Sequence, residues 1–260
     1  MKRQYVETAE GQVHLRIAGE PTDKPDLFCL HPAPFSGVAV ETLMPLLAQD
    51  RRVIAPDLPG HGGSDPLHKP PSIEAFATAM SGAIQAISSN PVDILGFHTG
   101  CLVACEVSLQ RPAQVRRLLL CDVPAFDPAQ RAKLLAPKRT SPAYALELES
   151  ISAEWKQTVV KRAGTEPASR SLAMFAEQFR QPEWRNSGFV AAFQYAIEYK
   201  LPQITHETAI LASGSMLLDP TRRSHSFILT SKLIEFLDIK RSVLDEAASR
   251  TAGLILEEIE

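Results

Sequence analysis

The sequence predicts a single α/β domain with a mostly parallel sheet of about eight strands and a helical insertion. Three observations carry this. Short apolar runs alternate with amphipathic stretches along the first half of the chain, the pattern of strands joined by helical crossovers. A segment of roughly eighty residues, 126–206, shows helical patterns and no convincing strand, too long for a plain loop in a compact domain. Residues 92–106, VDILGFHTGCLVACE, read as a buried strand, a tight glycine-flanked turn and a buried helix.

Taken in order, the strand-like runs are QYVET, VHLRIA, DLFCLH, RRVIAPDL, VDILGF and VRRLLLCDV, then TAILAS and KLIEFL near the end. The first two lie close enough to form a hairpin at the sheet edge. Helical patterns fall on SGVAVETLMPLLAQD and SIEAFATAMSGAIQAISS in the first half, and on YALELESISAEWKQTVVKRAG, SRSLAMFAEQF and SGFVAAFQYAIEY in the insertion. The closing LDEAASRTAGLILEEI places Leu244, Ala248, Thr251 and Ile255 at helical spacing. The expected division is a core of residues 1–125 and 207–260 and a helical cap of residues 126–206. Most aromatics of the insertion, such as Trp155 and Phe175, are expected to pack its own small core.

Bulk properties exclude several classes. A chain of 260 residues can bury a full core. A net charge of −3 gives no electrostatic case for nucleic acid or an anionic membrane. The opening residues lack the apolar core of a signal peptide, and no run is long enough to span a membrane. Cys29, Cys101, Cys105 and Cys121 all sit in apolar runs, as buried reduced thiols of a cytoplasmic protein would. Cys101 and Cys105 are four apart, but no further Cys or His spacing completes a metal site. The expectation is no metal, no cofactor, and a small molecule as the ligand.

Three segments together resemble the α/β-hydrolase fold with a helical cap, over essentially the whole chain. LFCLHPAPFSG looks like its third strand and oxyanion loop, and RRVIAPDLPGHGGSD like its fourth strand and Asp-x-Pro-Gly-x-Gly-x-Ser-Asp turn. VDILGFHTGCLVACEVSLQRPAQVRRLLLCD looks like its fifth strand, nucleophile elbow, following helix and sixth strand. The resemblance implies an eight-stranded sheet with an anion site made by the backbone N–H groups of Ala33 and Thr99. It places His31 beside that site, as a ligand-binding candidate or, more in keeping with the family, a residue that organises the oxyanion loop.

The same resemblance exposes a departure. The elbow position that would hold a serine nucleophile holds His98. The acid after the seventh strand would fall near Leu217, with Asp219 two residues on. Asp219 could be a displaced acid, but reads more readily as a helix N-cap before Pro220. Asp122, ending the sixth strand, is the other candidate acid, or else a strand-end turn former. The histidine position before the last helix falls on Lys240 or Arg241, and no histidine follows His225. A conventional Ser-His-Asp triad is therefore not expected. His98 remains as a base, a nucleophile, a hydrogen-bond donor to a ligand, or a pocket-filling side chain. Two readings stay open: an enzyme acting on a small carbonyl compound by non-standard, hydrolase- or lyase-like chemistry, or an inactive hydrolase homologue that binds a small molecule or a protein.

Overall fold

The computed structural model describes residues 1–140, 148–240 and 243–260. Eight strands form one sheet: β1 (Lys2–Thr8), β2 (Gly11–Ala18), β3 (Leu27–Leu30), β4 (Val53–Pro56), β5 (Val92–Phe97), β6 (Val115–Cys121), β7 (Glu207–Ser213) and β8 (Ser231–Phe236). Their spatial order is β1-β2-β4-β3-β5-β6-β7-β8. The β1–β2 hairpin and the β2–β4 pair are antiparallel, and every later pair is parallel.

The described helices are α1 (Met44–Leu47), α2 (Ile73–Ile87), α3 (Thr99–Gln110), α4 (Pro128–Thr140), α5 (Leu148–Thr158), α6 (Ala168–Glu177), α7 (Ser187–Gln194), α8 (Leu218–Phe227) and α9 (Ala248–Ile259). Helices α1 and α9 cover one face of the sheet and α2 and α3 the other. Strands β3, β4 and β5 are buried along their whole length, as a parallel sheet covered on two faces requires. Their side chains alternate between two cores. Leu27, Cys29, Leu95 and Phe97 pack with α1 and α9, while Phe28, Leu30 and Ile94 pack with α2 and α3.

The helical pattern over SGVAVETLMPLLAQD resolves into a short 3-10 turn, Gly37–Val40, and the four-residue α1. Pro45 at the start of α1 has no N–H to continue a preceding helix, which breaks the run. In the insertion, α5 and α7 fall within the helical patterns and α6 begins one residue before its own, while α4 has no counterpart among them; nor does α8, which follows β7 in the core. Part of YALELESISAEWKQTVVKRAG lies outside the described residues.

The insertion is tied to the strand ends by polar contacts. Arg170 on α6 donates to the carbonyls of Val38 and Ala39 at 2.8 and 3.0 Å. Ser36 Oγ donates to Glu177 at 2.6 Å, and Gln181 donates to the carbonyls of Gly62 and Ser64. On the far side, buried Glu106 of α3 accepts from Tyr195 Oη at 2.6 Å and from Lys200 Nζ at 3.1 Å.

Candidate functional site

Strand register creates the site. Phe97, the last residue of β5, pairs with Cys121, the last residue of β6. The next residue on each strand is His98 and Asp122, so the two stand side by side at adjacent strand ends. Both adopt positive φ, 48° and 54°, the only described non-glycine residues to do so. Such backbone costs on the order of 1–3 kcal/mol per residue and has to be held by its surroundings. His98 N–H donates to the Cys121 carbonyl at 3.2 Å, Asp122 N–H to the Leu211 carbonyl at 3.0 Å, and Cys101 N–H to the His98 carbonyl at 2.9 Å. Gly100 makes the turn sterically possible: a Cβ there would stand 2.1 Å from the Leu30 carbonyl oxygen.

His98 and Asp122 open onto a cavity of about 390 Å³. Pro32, Ala33, Phe35, Phe97, Met174 and Leu244 give it largely apolar walls, and Arg162, Ser213, Met216, Lys240 and Asp245 also line it. His98 Nε2 lies 3.9 Å from Asp122 Oδ2, ion-pair range but too long for a hydrogen bond. The imidazole side chain is 46% exposed and the carboxylate 2%. Asp122 Oδ1 accepts from the Ser213 N–H at 2.9 Å, and Oδ2 from Ser213 Oγ at 2.6 Å. Dehydration by the pocket walls lowers the His98 pKa below the ordinary histidine value, and the Asp122 charge partly opposes this. His98 Nδ1 has no protein hydrogen-bond partner among the described residues.

The loop after β3 borders the same cavity. Phe35 N–H donates to the Pro32 carbonyl at 3.1 Å, closing a turn around a cis Ala33–Pro34 bond. His31 sits beneath it, fully buried. Its Nε2 accepts from Leu58 N–H at 2.9 Å, which leaves Nδ1 to donate to the Pro32 carbonyl at 3.1 Å. Burial, with His61 alongside, pushes the His31 pKa down to about 3. His31 thus binds two loops together and does not line the cavity. Neither the Ala33 nor the Thr99 N–H donates to a protein acceptor among the described residues. Thr99 is the first residue of α3, where amides lack an intrahelical acceptor.

Asp57 was not singled out from the sequence. It is buried and accepts from Arg16 at 2.7 Å, from His14 at 2.9 Å, and from Gly37 and Gly63 N–H at 2.8 Å each. Its two amide bonds join the loop after β3 to the loop after β4. The available signal was its place at the head of DLPGHGGSD. Ser213 was missed too, although it closes the TAILAS strand.

Two sequence expectations need correction. Asp219 does not reach the cavity: its side chain is 90% exposed on the first turn of α8, 3.9 Å from Arg222. Nor does it cap the helix, since α8 begins at Leu218 and Leu217 holds the cap position. Near the expected acid position, Leu217 is buried and Met216 lines the cavity. At the end of β8, Lys240 lines the cavity, and Arg241 lies outside the described residues.

Among the described residues no helix is long and apolar enough to cross a membrane, and no group of three His, Cys, Asp or Glu is placed to hold a metal ion.

Residues 27–231 match the alpha/beta hydrolase family, and the chain belongs to it. It is 30% identical over 132 residues to a human serine hydrolase-like protein, across 48% of this chain and 64% of that protein. Over 80 residues it is 42% identical to a pimeloyl-[acyl-carrier protein] methyl ester esterase of Neisseria meningitidis, across 31% of this chain and 29% of that one. The chain thus covers less than two thirds of the length of either relative. Its fold is that of an enol-lactonase from Burkholderia xenovorans, with a TM-score of 0.82 at 17% identity over 98% of this chain and 99% of the other. A hydrolase from Pseudomonas aeruginosa gives 0.82 at 19% identity over 99% and 98%.

Proposed function

We propose that the protein is an enzyme acting on a small carbonyl compound, with His98 as a general base at the position where a serine nucleophile would stand. The observation that carries this reading is the His98–Asp122 pair at the cavity floor. A carboxylate beside Nε2 favours the tautomer with the proton on Nε2, which leaves the Nδ1 lone pair as the base. Asp122 is the orienting acid, fixed by Ser213. The Ala33 and Thr99 amides form the oxyanion hole and receive the charge that develops on the carbonyl oxygen.

In a hydrolytic turnover, His98 Nδ1 takes a proton from water as the water oxygen bonds to the carbonyl carbon. The C=O electron pair moves onto the oxygen facing the two amides. When the tetrahedral intermediate collapses, the leaving group departs with its electron pair and takes the proton from His98. A lyase-like variant has the same base remove a proton beside the carbonyl, with the negative charge on the same oxygen. Residues 126–206 act as a cap that excludes bulk water. The relatives' names, a serine hydrolase-like protein and a methyl ester esterase, support a carbonyl substrate. Four free, buried thiols suit a reducing compartment such as the cytoplasm.

The second reading is a binding protein without turnover. It is favoured by the want of a second imidazole in the cavity lining, where Lys240 stands on the segment after β8.

A panel of esters, thioesters, lactones and β-keto acids assayed with wild type and His98→Ala separates the two. The enzyme reading expects turnover of at least one class, reduced at least ~100-fold in the variant, the scale of general-base catalysis. No turnover of any class, or turnover that survives His98→Ala, contradicts it.

A further inference from the structure

We infer that the substrate carries a carboxylate in addition to its reacting carbonyl, and that Lys240 selects it. This rests on the carbonyl-enzyme reading above and specifies the substrate class. The charged groups of the cavity are otherwise matched. Asp122 is held by Ser213 and faces His98. Asp245 accepts from Arg170 Nε and Thr42 Oγ1 at 2.8 Å each. Arg162 lies 3.3 Å from Glu166 and 3.8 Å from Asp245. Lys240 lines the same cavity, and no described residue supplies it with an acceptor.

Lys240 is exposed, so its ammonium is hydrated. A ligand that fills largely apolar walls displaces part of that water, and a neutral ligand group gives no acceptor in exchange. A carboxylate restores the hydrogen bonds and the charge. Backbone geometry sets the spacing. Gly214 N–H donates to the Ile239 carbonyl at 2.7 Å, which brings the chain just before Lys240 to the end of β7. That is two strand spacings, roughly 10 Å, from the end of β5 where His98 stands. Lysine's flexible stem can cover part of that gap, and a linear keto acid with four methylenes between its two functional groups can cover the rest.

The test uses 6-oxoheptanoate and its methyl ester as probes, with dissociation constants measured by NMR titration against the full chain. Wild type should bind the acid about tenfold more tightly than the ester, the scale of one charge-assisted contact. Lys240→Met should abolish the preference and Lys240→Arg should keep it. Lys240 is exposed, so neither change disturbs the core. His98→Ala should leave the acid preference intact even as it removes turnover, so failure here and failure of the general-base reading are separate results. Equal affinity for acid and ester in wild type overturns the inference, as does a preference that survives Lys240→Met. Failure of the acid to bind at all counts equally against it.

Discussion

Phe97 and Cys121 pair as the last residues of neighbouring parallel strands, and this one register pair sets His98 against Asp122. A slip by one residue would turn one of the two side chains to the other face of the sheet. The placing of His98 beside Asp122 therefore depends on the whole β5–β6 ladder, and the proposed roles of the two can be probed by changes that leave the ladder in place.

Replacing His98 with serine should not create a good esterase. The elbow would then hold a hydroxyl, but no imidazole lines the cavity to take its proton: His31 is committed to Leu58 and Pro32, and buried His61 turns Nδ1 to the Pro59 carbonyl. Turnover of p-nitrophenyl acetate by His98→Ser should stay at least ~1,000-fold below the ~10 s⁻¹ of a typical enzyme. A rate near that value would mean a base has been overlooked.

Ser213→Ala should destabilise the protein without unfolding it. The change removes one of the two Ser213 donors to buried Asp122 and keeps the backbone N–H. Loss of one hydrogen bond to a buried carboxylate costs about 1–3 kcal/mol. For a chain of this size that lowers Tm by roughly 2–4 °C per kcal/mol. A melting temperature equal to wild type would show that the Ser213 hydroxyl does not hold the carboxylate.

Acid should weaken the fold through His31. Its folded pKa is about 3, against an ordinary value of 6.5, so the unfolded chain binds the proton first as pH falls. The stabilisation is fully present above pH 6.5 and drains away between 6.5 and 3, by up to about 1.4 kcal/mol per pH unit. Urea unfolding from pH 7 to pH 5 should show this slope, and His31→Gln should flatten it by up to that amount. A lost hydrogen bond lowers stability by the same amount at every pH, so the slope reports titration and not the lost contacts. An unchanged slope would place the acid sensitivity elsewhere.

The inner strands were legible as short, continuous apolar runs bounded by turn residues, and β1, β2 and β8 by aromatic and aliphatic residues interspersed with polar ones. His98 was legible because glycines frame it: Gly96 and Gly100 mark a turn too tight for side chains on either flank. The two aspartates were not separable. Asp122 and Asp219 each follow a strand, and only the path of the backbone sends one into the cavity and the other into solvent. Asp57 and Ser213 stayed hidden for a related reason. Their roles come largely from distant partners, up to 43 residues away for Asp57 and 91 for Ser213, and a parallel sheet writes no local signal for such pairings. Lys240 could be placed by its motif position, but not its want of a partner, which depends on where Arg162, Arg170 and Asp245 pair among themselves.

On the proposed mechanism, Asp122 turns His98 into a base with its free lone pair on Nδ1. Two-bond ¹H–¹⁵N NMR of His98, followed across pH in wild type and in Asp122→Asn, tests it most directly. Wild type should show a pKa below the ordinary histidine value, with the neutral ring carrying its proton on Nε2. In Asp122→Asn the pKa should fall further, because the charge that favours imidazolium is gone. A neutral ring protonated on Nδ1, or a pKa that does not move when Asp122 is neutralised, would contradict it.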